Sequence, residues 1–146
     1  NKLNKKLPGH ISSFPIDKSE MTKAILSNSS NLKKIINIVH KEIRKKMNLF
    51  IKKNKHKKIV VLDIPLLLEN KINRKEDVLI FIDSTAAHIE KKLKKRANFN
   101  RKLYNKFKKI QYSKMYKKKK SNFIIKNNFT KKSVEKGIKE VLNQIL

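Results

Sequence analysis

Two short apolar runs constrain this chain more than any other feature. The first is Ile59–Ile64 within "KKIVVLDIPLLLENK". The second is Val78–Ile82 within "VLIFID". Both are built of β-branched and aliphatic residues without polar alternation, and both close on an aspartate, Asp63 and Asp83. A strand that is apolar on both sides must be covered on both faces, which suits the parallel sheet of an α/β protein. In open sheets of this kind ligands bind beyond the carboxyl ends of the strands. Asp63 and Asp83 are therefore expected at one crevice. The competing reading of Asp83 is that Asp83-Ser84-Thr85 only starts the next helix.

The remaining elements follow from period and punctuation. Residues 1–16, with Pro8, Gly9 and Pro15, read as irregular. A short helix follows in "DKSEMTKAIL", with Asp17 as cap and Glu20 as its reciprocal partner. "SNSSN" breaks the chain and caps the next element. From Asn31 to about Asn54, Leu32, Ile35, Ile36, Val39, Ile43, Met47 and Phe50 recur every three or four residues, the spacing of a long amphipathic helix. Beyond the second strand, one helix is expected over about Ala86–Arg96. Another is expected over about Asn100–Lys117, with Leu103, Phe107 and Ile110 on one face. "NFIIKN" (122–127) reads as a third strand, and Thr130 opens a closing helix. The four lysines 117–120 read as a solvated charge run.

Composition bounds the rest. The chain has 146 residues and a net charge of +28, enough length for one domain. It has no cysteine, which excludes disulfides and thiolate metal sites. No apolar run reaches a membrane span and no secretory leader opens the chain, so a cytoplasmic protein without membrane contact is expected. Such a charge suits a polyanionic partner. All but four of the 39 basic residues are lysine, however, and asparagine and isoleucine are also abundant. AAA, AAT and ATT codons specify these three residues, so an AT-rich coding sequence yields the same bias. A nucleic-acid binder usually interleaves arginine and aromatics with its lysines, and aromatics are only 7% here.

The order of motifs carries a resemblance. His40 lies late in a long helix, in "IVHKEIRKK". "VVLDIPLLLEN" (60–70) and "VLIFID" (78–83) follow. Lys92 and Arg96 stand four residues apart, Gln111 comes later, and "FIIKNN" (123–128) ends the last strand. In order and spacing this resembles the C-terminal two-thirds of dephospho-CoA kinases, and Pro65-Leu66-Leu67-Leu68-Glu69 is the most specific part. The resemblance implies an α/β, partial P-loop kinase-like three-layer fold with a parallel sheet, a helical lid and a helical acceptor-binding part. It divides the chain into an acceptor-binding part (about 1–56), a core (57–85 and 121–146) and lid helices (about 86–120).

The same resemblance implies an ATP-dependent kinase that phosphorylates the ribose 3′-hydroxyl of dephospho-CoA with Mg²⁺, the last step of coenzyme A biosynthesis. It places Arg96, Lys92 and Lys114 in phosphoryl transfer. It places His40, Asp63, Pro65, Leu66 and Glu69 at the acceptor, and Lys117, Asn127 and Asn128 at ATP. The proline would break the first strand, since it cannot donate to a ladder. Several features depart from the family pattern. Lys41 follows His40 in place of proline, and Lys92, Lys114 and Lys117 stand where arginine is usual. With only Gly9 and Gly137 in the chain, no GxxxxGK[ST] phosphate loop can be present. The chain also begins with Asn, so a fragment that is inactive alone is expected. The alternatives are a basic nucleic-acid-binding module and another P-loop nucleotide kinase.

Overall fold

The computed structural model describes residues 2–146 and has two compact units, one up to Ile72 and the other Asn73–Leu146. Helices and one small parallel sheet make it an α/β protein.

The first unit is helical: α1 (Lys2–Lys6), α2 (Lys18–Ser27) and α3 (Ser29–Lys53). The helix α1 lies in a stretch that reads as irregular from its Pro and Gly. The backbone N–H of Leu7 closes its last turn on Leu3 O. Its outlet Leu7 is buried, with Ile11, Ala24, Ile25, Leu32, Ile35 and Ile72, in this unit's core. Asp17 caps α2, accepting from Ser19 N and Glu20 N. Glu20 does not complete the expected reciprocal cap. It reaches back to the Ser12 and Ser13 hydroxyls (2.6 and 2.8 Å) and their amides instead. These bonds hold its carboxyl at a pKa of about 2. Asn28 caps α3 through Ser30 N. Asn31, buried, donates to Ala24 O across the α2–α3 joint (2.9 Å). The apolar stripe of α3 is buried at Leu32 and Ile35, but Phe50 near its end is exposed.

After α3 the expected first strand is not formed. Residues 59–64 lie outside any helix or strand, and the only sheet among the described residues has two strands, both in the second unit. An apolar run becomes a strand only where a neighbouring edge takes its amides and carbonyls. The elements of its own unit are all helices. Pro65 therefore terminates no ladder. It opens a turn, Pro65–Lys71, closed by Asn70 N to Leu66 O (3.1 Å) and Ile72 N to Leu67 O (3.0 Å). Leu66 and Lys71 hold left-handed backbone there, with φ of 56° and 50°.

The second unit contains β1 (Ile80–Asp83), α4 (Ala86–Lys94), α5 (Arg101–Ile110), α6 (Lys114–Lys120), β2 (Phe123–Lys126) and α7 (Lys131–Ile145). β1 pairs parallel to β2, with Ile80 opposite Phe123 and Asp83 opposite Lys126. α7 packs on β2 closely enough that a Cβ on Gly137 would come within 2.7 Å of Ile125 Cγ2. Glycine is required at this crossing. Two strands and one packed helix do not cover both sheet faces, so Ile80 and Ile82 remain 41% and 50% exposed. The single helix expected over 100–117 is two. Gln111 is extended, and Ser113 starts α6 by accepting from Tyr116 N. α4 stops at Lys94, two residues short of Arg96.

Candidate functional site

The predicted site residues fall into two sets, one in each unit. In the first unit His40 lies on α3, half-buried, with Nδ1 shielded from solvent and without a hydrogen-bond partner. Burial pushes its pKa down, and the Arg44 guanidinium one turn later pushes it further. Arg44 donates to Asn70 O (2.8 Å), and the Asn70 amide donates to Leu66 O (2.9 Å). The leucine turn is thus fastened to the helix that carries His40. Leu66 and Glu69 are half-buried in this turn. Pro65, which opens the turn, and Asp63, two residues before it, are exposed. Asp63 is not at a strand end, because no strand forms there.

In the second unit the carboxyl end of β1 gathers charge. Asp83, whose side chain is only 13% exposed, meets Lys114 Nζ at 2.5 Å and Lys118 Nζ at 2.6 Å. Its Oδ1 is shielded from solvent and holds the Lys114 ammonium as an ion contact rather than a well-aimed hydrogen bond. Lys114 first, and then Lys118, keep the Asp83 pKa below the ordinary carboxylate value. The cluster reaches the end of β2 as well. Lys114 Nζ donates to Ser84 O (3.2 Å), Ser84 Oγ donates to Asn127 O (2.7 Å), and Asn127 N donates to Asp83 O (2.8 Å). Asp83-Ser84-Thr85 is therefore more than a helix start: Thr85 caps α4, while Asp83 and Ser84 tie the two strand ends to α6.

The turn after β2 is fixed by its own side chains. Asn127 Oδ1 accepts from Phe129 N (2.7 Å). Asn128 Oδ1 accepts from Thr130 N and from the Thr130 and Ser133 hydroxyls. Lys92 Nζ lies 5.3 Å from the centroid of the Phe129 ring. Lys117 Nζ bonds Gln111 Oε1 at 3.4 Å. Arg96 is exposed in the turn after α4, where its carbonyl accepts from Phe99 N (3.0 Å). Lys92 and Arg96 therefore do not share a helix face, contrary to their i, i+4 spacing.

Lys114 and Asn127 thus meet at the strand ends, Lys92 lies against Phe129 in the turn after β2, and Arg96 is outside that network. Four contributors are absent from the predicted site set: Arg44, Ser84, Lys118 and Phe129. Lys118 is concealed in the lysine run, which is half-buried at Lys117 and Lys118 and solvated at Lys119 and Lys120. Arg44 follows His40 by four residues, a signal visible in the sequence. Ser84 and Phe129 carry no such signal. Among the described residues no three His, Asp or Glu side chains gather as a metal site, and both Asp83 oxygens already face ammonium groups. These side chains do not fit a Mg²⁺ site.

The comparisons agree with the motif order. A family model described as dephospho-CoA kinase matches residues 14–133. The chain is 29% identical over 143 residues to a dephospho-CoA kinase of Wolbachia pipientis wMel, covering 97% of this chain and 73% of the relative. The figures are the same for the enzyme of Wolbachia sp. subsp. Brugia malayi. A dephospho-CoA kinase of Bartonella quintana is 25% identical over 141 residues, 95% of this chain and 72% of that one. With the match running from before α2 into the first turn of α7, the chain belongs to the dephospho-CoA kinase family.

Proposed function

We propose that this chain supplies the acceptor-binding part, part of the core and the lid of a kinase that moves the γ-phosphoryl of ATP to the 3′-hydroxyl of dephospho-CoA. The family match over residues 14–133 carries this reading. In the transfer the bond between the γ-phosphorus and the β–γ bridging oxygen breaks. A bond to the acceptor oxygen forms, ADP leaves, and the hydroxyl proton passes to water. Such a reaction asks the protein mainly for positioning and charge neutralisation. The three-layer P-loop kinase arrangement is part of the same proposal. So is the division into an acceptor-binding part (about 1–56), a core (57–85 and 121–146) and a lid (about 86–120).

Lys92, Lys114 and Lys117 then face the ATP phosphates, with Arg96 joining from the turn after α4. Asn127 and Asn128 stand at the nucleotide end of β2. His40, Asp63, Pro65, Leu66 and Glu69 form the acceptor side. Burial, and then the Arg44 guanidinium, lower the His40 pKa and so disfavour the charged imidazolium on the acceptor side. Mg²⁺, if it enters with ATP, would supply neutralisation of phosphate charge.

The experiment joins this chain to an upstream segment that carries a GxxxxGK[ST] phosphate loop. ADP release is then followed with dephospho-CoA or nucleoside monophosphates as acceptor. Turnover with dephospho-CoA alone supports the reading. Turnover with a nucleoside monophosphate alone assigns another nucleotide kinase. Calorimetric binding of dephospho-CoA to the 146-residue chain checks the acceptor side independently of the joined segment. In the joined enzyme, Arg96→Lys should lower kcat because lysine cannot bind phosphate in two parallel bonds. Arg96→Ala should lower it further, on the order of tenfold or more, with a smaller change in the KM for ATP.

A further inference from the structure

Phe129 is the residue whose presence is hardest to explain as fold. It holds a left-handed backbone, φ 66°, which a bulky L-residue rarely adopts and glycine adopts freely. The turn enforces this shape from both sides, through Asn127 Oδ1 on the Phe129 amide and Asn128 Oδ1 on the residues that follow. The ring is not used to fill the core, since Phe129 is 40% exposed. It stands instead beside α4, where Lys92 Nζ lies 5.3 Å from its centroid and the His88 ring meets it edge-on at 6.3 Å. His88 and Lys92 are one turn apart on α4, so the ring takes both from a single helix face.

We infer that Phe129 is a positioning residue, whose ring face holds the Lys92 ammonium at the carboxyl end of the parallel strands, ready for a phosphate group. Lys92 is a flexible four-carbon side chain, and ordering it on binding costs entropy. A ring that restrains the ammonium beforehand lowers that cost while leaving the charge and its donors available. The aromatic quadrupole supplies the attraction, and the left-handed turn aims the ring at α4. This inference rests on the proposed role of Lys92 as a phosphate ligand. It adds that Phe129 acts through Lys92, without itself touching the phosphate.

The test uses the isotope-labelled 146-residue chain, follows the Lys92 side-chain signal by NMR, and adds inorganic tripolyphosphate at fixed ionic strength. In the free protein the Lys92 Cε protons should be shifted upfield by the ring. The shift should vanish in Phe129→Leu, which keeps apolar bulk without the aromatic face, and return in Phe129→Tyr. Phe129→Leu should raise the tripolyphosphate Kd read at Lys92 by about two- to fivefold, with Phe129→Tyr restoring it. If Lys92 responds to tripolyphosphate and Phe129→Leu leaves its Kd unchanged, the positioning role is overturned while the phosphate reading of Lys92 stands. If the Lys92 signal does not respond at all, both are overturned. Absence of the upfield shift in the free wild-type chain overturns the ring contact directly.

Discussion

Two segments of this protein begin from the same sequence signal and finish differently. Ile59–Ile64 and Val78–Asp83 are both apolar runs that meet an aspartate. The second contributes β1, its Asp83 nearly enclosed and bound to two lysines. The first joins no sheet, leaving Val61 80% exposed and Asp63 in solvent. Apolar character and β-branching are shared, so they do not account for the difference. What differs is the supply of partners. β1 has β2 in register beside it, and its aspartate has α6 lysines within reach. The first run has only helices in its own unit, and its downstream leucines satisfy their backbone locally in a turn. A strand is thus a property of a pair, and a carboxylate becomes part of a cluster only when a second element brings its counter-charge.

Substitutions can break this contrast, and the largest effect belongs to the paired segment. Ile125→Ala removes a buried side chain from β2 beneath α7. By the usual cost of emptying a packed site it should destabilise by about 2–4 kcal/mol, read from the midpoint of chemical denaturation. A loss below about 0.5 kcal/mol would mean that the α7–β2 crossing is not a core.

Asp83→Asn comes next. It keeps the shape, removes the charge between Lys114 and Lys118, and should cost about 1 kcal/mol once solvent screening is allowed for. The pH dependence has a definite sign. The Asp83 and Glu90 carboxyls both titrate lower in the folded protein than in the unfolded chain, Glu90 near 2 against an ordinary 4.5 because of Arg101 and then Lys94. Their stabilisation is therefore complete above the unfolded pKa values and disappears as the pH falls through the folded ones. Acid titration of stability from pH 6 to 2 should show a shallower fall in Asp83→Asn than in wild type. Parallel curves would remove Asp83 from the linkage.

A smaller effect of opposite sign is expected in the leucine turn. Lys71 is exposed in left-handed backbone, φ 50°, so Lys71→Gly relieves a steric conflict. It should raise stability by about 0.5–1 kcal/mol, visible as a higher denaturation midpoint. A decrease would show that the Lys71 side chain contributes more than its backbone costs. The smallest effect belongs to the unpaired run. Val61→Ala should change stability by less than about 0.5 kcal/mol. A loss comparable to that of Ile125→Ala would show that residues 59–64 are covered in solution and would dissolve the contrast.

Much of the fold was legible along the chain. The periodic apolar positions of α3 and the helix starts at Asp17, Thr85 and Thr130 are local features, visible because a helix makes its bonds within itself. β1 and β2 were legible as apolar runs within two residues of their observed limits. The family was legible too, since motif order survives at 29% identity. Other features depended on distance in space. Glu20 turned from its own helix cap to Ser12 and Ser13, where four bonds were available in place of one. Arg96 lost its shared face with Lys92 because α4 ended early, a boundary that spacing alone does not locate.

Amino-acid order by itself determined the alternation of helical and apolar segments and the kinship with dephospho-CoA kinases. Each of these depends on residue type and local period. Only the tertiary structure decided which apolar run found a strand partner, which lysines of the 117–120 run turned toward Asp83, and that a phenylalanine in left-handed backbone would meet Lys92. These outcomes join residues 35 or more positions apart, such as Asp83 with Lys118 and Lys92 with Phe129. The energy of such contacts appears only when two elements are brought within a few ångströms of each other, and no local propensity carries that information.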